Sequence, residues 1–166
     1  MNASTEFNAR EPLAFLLTWT TYGTWLPGDQ RGWHQQGSTG QQPPNPFIDD
    51  LSKSRLQEPP FSMTPHLRTL VNRTIAQHCA LRQWTLHGVN ARSNHVHVVV
   101  AATDRRPETV EGQFKAWCTR RLKEVTPDRK RFWSEGGSRR YLNQEDELQQ
   151  AIVYVLEAQD RKGQDG

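Results

Sequence analysis

The run Ser93-Asn94-His95-Val96-His97-Val98-Val99-Val100 constrains this chain more than any other stretch of it. Valines in close succession favour an extended backbone, and along a strand successive side chains alternate between faces. Val96, Val98 and Val100 therefore share one face, and His95 and His97 share the other. The first face is suited to burial in a core. The second offers two imidazoles to a divalent metal. A nucleotide-hydrolase histidine triad needs a third alternating histidine, and position 99 is valine. A structural zinc site needs further Cys or His ligands. His87 on the neighbouring strand is the one candidate, while His34, His66 and His78 have no ligand spacing with the pair.

The segments around this strand read as an α+β order. Ala14–Thr21 is apolar and β-branched at its end, a first strand. From Pro27 to about Met63 the chain is rich in Gln, Gly, Pro and Ser with no sustained period. The expectation is a long, mobile insertion at about 27–63, in which Trp33 and His34 are the candidates to touch a ligand. Thr64-Pro65 is an N-cap followed by proline at the first helical position, and Leu67, Leu70, Val71, Ile75 and Cys79 recur at helical spacing up to about Gln83. Trp84–Ala91 reads as a second strand, joined through Arg92-Ser93-Asn94 to the histidine strand in a hairpin. Pro107–Val125 is a second amphipathic helix. Residues 131–133 and 139–142 read as strand, turn and strand, and Asn143 caps a last helix to about Gln159. The economical architecture is one domain over residues 1–166, an antiparallel sheet with helices packed on it, ferredoxin-like.

Charge is unevenly spread. Residues 105–140 carry 11 Lys/Arg against 5 Asp/Glu, whereas residues 141–166 carry 2 against 6. The basic segment also holds Trp117, Phe132 and Trp133, and cations with flat rings suit a nucleic-acid surface. Arg120, Arg121, Lys123, Arg139 and Arg140 are the candidate phosphate contacts on charge alone. No apolar run approaches the roughly 20 residues of a membrane span. Cys79 and Cys118 have no metal-binding spacing and read as buried free thiols, which points to a reducing, cytoplasmic setting.

In the last helix Leu148, Ala151, Ile152, Val155 and Leu156 form the apolar stripe. At about 100° per residue, Tyr154 falls off that stripe among polar neighbours, with no packing reason to be there. Beside two metal-ready histidines, a tyrosine has a chemical use. A divalent ion polarises a phosphodiester, and a phenol oxygen attacking it forms a covalent phosphotyrosine and frees a sugar hydroxyl.

With these residues in hand, the chain resembles the HUH-type single-tyrosine transposases, a family that includes insertion-sequence and REP-associated tyrosine transposases. The resemblance rests on residues 93–100, on Gln113-Phe114-Lys115-Ala116-Trp117-Cys118-Thr119-Arg120-Arg121, and on Phe132-Trp133-Ser134-Glu135-Gly136-Gly137. It extends to Ala151-Ile152-Val153-Tyr154-Val155-Leu156 and to the opening Leu17–Asp29, and covers about residues 13–160. It implies an HUH nuclease architecture and an enzyme that cleaves and rejoins single-stranded or hairpin DNA as a monomer or homodimer. It also implies Mg²⁺ or Mn²⁺ held by His95 and His97, and Tyr154 as the nucleophile that becomes linked to a 5′-phosphate. The family often places Gln or Asn four residues after the tyrosine, where this chain has Ala158. Glu157 is favoured as third ligand by helix geometry, and Gln159 by the family's chemistry. The alternative reading is a non-catalytic nucleic-acid-binding protein that retains the fold.

Overall fold

The computed structural model describes residues 11–33 and 40–158. It is an α+β fold built on a four-stranded antiparallel sheet of strands β1 (Ala14–Thr20), β2 (Thr85–Ala91), β3 (His95–Ala101) and β4 (Ser138–Leu142). Their order across the sheet is β2-β3-β1-β4, which is the ferredoxin-like arrangement. The helices are α1 (Pro46–Ser54), α2 (Pro65–Arg82), α3 (Pro107–Val125) and α4 (Glu145–Leu156).

Alternation along β1 and β3 divides the core in two. Phe15, Leu17 and Trp19 join Val96, Val98 and Val100 on one face, under Val71 and Ile75 of α2 and Val110, Phe114 and Leu122 of α3. Burying each of these aliphatic and aromatic side chains contributes roughly 1.5–3 kcal/mol. On the other face Ala14, Val99 and Leu142 meet Leu148, Ala151 and Val155 of α4. This second cluster is smaller because α4 is short and covers only part of the sheet. The histidines lie beyond that apolar cluster, on the same face and themselves buried.

Most boundaries follow local chemistry. Thr64 caps α2 by accepting from the Leu67 N–H at 3.4 Å, with Pro65 behind it, and Gln83 ends the helix in the left-handed region at φ 60°. Three expectations are corrected. The 27–63 insertion contains α1, which Asn45 caps through the Ile48 N–H and Pro46 opens, the same signal as Thr64-Pro65. No α1 residue is buried, and its apolar residues Phe47, Ile48 and Leu51 span little more than one turn, too short a run for a periodicity reading. The last helix begins at Glu145 after Gln144, with no side-chain cap, and ends at Leu156. The strand expected at 131–133 is reduced to an isolated bridge between Thr21 and Trp133.

Candidate functional site

Sheet register sets the site. On the α4 face Asn90 of β2 stands opposite His97 of β3, Thr18 of β1 stands opposite His97 on the other side, and Ser138 of β4 stands opposite Thr18. Cross-strand partners share a face, so these four residues make a polar row across the whole sheet. Thr20 and His95 continue the polar zone beyond it. The apolar residues of the same face lie on the other side of the row, under α4.

Both histidines have Nδ1 within hydrogen-bond reach of a protein oxygen. Nδ1 of His97 lies 2.9 Å from Thr18 Oγ1, and Nδ1 of His95 lies 2.6 Å from Asn94 Oδ1. The ring centroids are 4.6 Å apart, and the residues are buried at 4% and 2% exposure for His95 and His97. The position expected from alternation is therefore realised, with the valines on the opposite face. His78, by contrast, is a core residue whose Nε2 lies 2.7 Å from Gln113 Oε1, and His34 lies outside the described residues.

Tyr154 reaches this pair from α4. Its ring packs edge-on against His97 at a centroid distance of 5.3 Å, while the residue stays 52% exposed. Two features of β2 hold α4 in place. Asn90 Nδ2 donates to the carbonyls of Val155 and Ala158 at 2.9 and 3.1 Å, closing acceptors that a helix C-terminus leaves open. At Gly88, beside a register irregularity, even a Cβ would already touch Val155 at 3.6 Å and Leu156 at 3.8 Å, so a larger side chain would push the helix away. The tyrosine is thus clamped from the strand next to its histidine.

The donor set fits a divalent ion in part. Two imidazoles on one face, each with Nδ1 tied to a protein oxygen, match the way metal-binding histidines are oriented, with Nε2 as the coordinating nitrogen. Among the described residues no three His, Cys, Asp or Glu side chains gather as a metal site, and Glu157 is exposed at the C-cap of α4. Gln159 lies outside the described residues.

The candidate phosphate contacts are scattered. Arg120, Arg121 and Lys123 belong to α3, on the face of the sheet opposite the histidines. Arg120 lies over the Trp117 ring at 4.9 Å, and Arg121 pairs with Glu124 at 3.6 Å. Arg139 turns inward and donates to Glu111 at 2.8 Å, because that carboxylate is only 2% exposed and needs a cation. Lys115 stands 3.5 Å from the same acid and donates to the Gly136 carbonyl at 2.7 Å. Burial pulls the Lys115 ammonium below its ordinary range, against the opposing pull of Glu111. Arg140, on the histidine face, lies 3.6 Å from Glu147 of α4. Charge counting had no means of separating structural cations from solvent-facing ones.

Three participants escaped the sequence reading: Thr18, Asn90 and a cleft of about 1100 Å³ beside the polar row, lined by Thr18, Thr20, Tyr22, Trp25, Trp33 and Trp133 among others. Their signal is register and tertiary approach, which no local pattern carries. Comparison with models of known protein families and with curated proteins returns no match.

Proposed function

We propose that this protein is a metal-dependent enzyme that cuts and rejoins single-stranded DNA through a phosphotyrosine, as a transposase of insertion-sequence or REP type. The observation that carries the reading is the meeting of Tyr154 with His97 and its neighbour His95 within one chain. A tyrosine off its helix's apolar stripe and two histidines on a strand have no packing need for each other. Their conjunction is what phosphoryl transfer to a phenol requires.

In this reading the scissile phosphate sits between the histidine pair and the Tyr154 phenol. The Tyr154 Oη–phosphorus bond forms, the bond from phosphorus to O3′ breaks, and the proton lost by the phenol is balanced by the one gained at O3′. One phosphodiester is exchanged for another, so a second 3′-hydroxyl can reverse the step without an energy source. Mg²⁺ or Mn²⁺ bound by His95 and His97 would supply Lewis-acid polarisation of the phosphate. Thr18 and Asn94 orient the two rings, and Asn90 fixes the helix turn that carries the nucleophile.

The test uses labelled single-stranded hairpin oligonucleotides from the DNA flanking the gene, with Mg²⁺ or Mn²⁺, resolved on a denaturing gel. The expected result is a protein–DNA adduct that disappears in both Tyr154→Phe and His95→Ala. Tight binding without an adduct, for every flanking end and both ions, would overturn it in favour of a non-catalytic binding protein.

A further inference from the structure

The cleft beside the histidines has a construction that the cutting reaction does not use. It lies where β1 leaves the sheet and β3 and β4 enter it, between the Tyr22–Trp33 segment and residues 130–138. At about 1100 Å³ it exceeds the roughly 300–1,000 Å³ of a small-molecule pocket, and it is an open trough. Thr18 belongs to its lining and also holds His97, which joins the trough to the histidine strand through one residue.

The aromatic lining is prepared in a particular way. Trp25 Nε1 donates to the Gly32 carbonyl at 2.7 Å, Trp33 Nε1 to the Pro43 carbonyl at 3.0 Å, and Trp133 Nε1 to Thr119 Oγ1 at 3.1 Å. The Tyr22 hydroxyl accepts from the Gln57 N–H at 2.9 Å. Those polar atoms are engaged by the protein, and the Arg129 guanidinium lies 5.8 Å from the Tyr22 ring centre. All four are half-buried, neither core nor fully in water. Trp133 is braced from behind by Trp19 and Phe61, and Trp25 by the Arg31 guanidinium 4.5 Å from its ring centre.

The supporting loop is heavily cross-tied. Asp29 accepts from the Arg31 guanidinium at 2.7 and 2.5 Å, and Arg31 also donates to the Thr24 carbonyl at 2.7 Å. Gly28, at φ +88°, lies so close to α1 that a Cβ would overlap the Asp49 backbone nitrogen. Lys130 and Arg131 stand along the trough with one acid in its lining, Glu135, and the Arg131 guanidinium lies 4.0 Å from Glu58. Glu58 accepts the backbone N–H groups of both at 3.0 and 2.6 Å, which fixes that wall.

We propose that this cleft seats unstacked nucleobases of a single strand, on Tyr22, Trp25 and Trp33, with Lys130 and Arg131 serving its phosphates. The inference rests on the single-strand reading of the histidine–tyrosine site. Flat rings flanked by cations bind bases without regard to sequence, and a duplex, whose bases are stacked inward, cannot use them. The seat thereby selects single strands next to the cutting site.

Fluorescence anisotropy of a labelled oligothymidylate of about ten nucleotides, without added metal, tests this. All variants carry Tyr154→Phe, so the readout does not depend on chemistry. Trp25→Leu and Trp33→Leu keep apolar bulk and remove the indole, and each should weaken binding roughly 5- to 100-fold. Binding of the matching duplex should be unchanged. If a Trp25 variant unfolds, Trp33→Leu and photo-crosslinking of bromodeoxyuridine to Trp33 or Trp25 peptides carry the decision. Unaltered affinity in folded variants, or crosslinks only elsewhere, would overturn the seat. An adduct in the parent chain alongside unaltered affinity would sink the seat alone; indole-dependent binding with no adduct would sink the cutting reaction alone.

Discussion

Asn90 offers the sharpest test of how the tyrosine is held. Its amide donates to two carbonyls in and just beyond the last turn of α4, at 2.9 Å to Val155 and 3.1 Å to Ala158. Each bond contributes about 0.5–1.5 kcal/mol net, so Asn90→Ala should cost about 1–3 kcal/mol. For a chain of this length that lowers the melting temperature by roughly 2–10 °C. The loss should be local. Amide hydrogen exchange should quicken in the second half of α4 while β1, β3 and α3 keep their protection, because the main core does not include this helix. A displacement of about 1 Å at a reacting group can cost on the order of 100-fold in rate. Tyrosine–DNA adduct formation should accordingly fall 10- to 100-fold, an estimate on that same basis, while oligonucleotide binding persists. An unchanged melting temperature, or exchange quickened evenly over the whole sheet, would refute the clamp.

Four other outcomes follow from the geometry. Arg139→Gln should lower stability by about 1–3 kcal/mol, since Glu111 keeps only Lys115 and the arginine is partly solvated, and should leave nucleic-acid affinity nearly unchanged in the same anisotropy assay. Thr18→Val removes the hydroxyl on His97 Nδ1, and calorimetric titration should show Mn²⁺ affinity reduced roughly 10- to 100-fold. Burial pushes the Cys79 thiol up to about 12 and Cys118 higher still, so native protein at pH 8 should react with a thiol reagent about a thousandfold slower than an ordinary cysteine, and at normal rates once denatured. The Arg31 guanidinium holds the Asp29 carboxyl below its usual range, so its contribution is complete above the ordinary carboxylate value and is lost as pH falls through the lower folded value. Tryptophan fluorescence of the Tyr22–Trp33 loop should hold to about pH 4 and change below it, and Asp29→Asn should abolish that transition.

The periodic parts of the chain were legible because their signals are local. Thr64-Pro65 announces α2, and the apolar spacing of Pro107–Val125 reproduces α3 end to end. The alternation through His95–Val100 assigns both faces of β3 correctly. Helix α1 is hard to read because its apolar residues, Phe47, Ile48 and Leu51, span little more than one turn, although Asn45-Pro46 carries the same start signal as Thr64-Pro65. The pairing of Arg139 is invisible in the sequence for a different reason. Its partner Glu111 is distant in sequence, and nothing near Arg139 says that an acid waits under β4.

By itself, the sequence determined which residues are chemically able: two imidazoles on one strand face and a tyrosine set off its helix's apolar stripe. Tertiary structure alone decided that they meet. The register of β1 and β2 against β3 brings Thr18 and Asn90 to either side of His97, and α4 docks on the apolar half of the sheet so that Tyr154 overhangs the polar half. Strand pairing is a relation between segments far apart in the chain, and a one-residue slip would turn every one of these side chains to the other face. Chemistry resides in the residues; its assembly resides in the register.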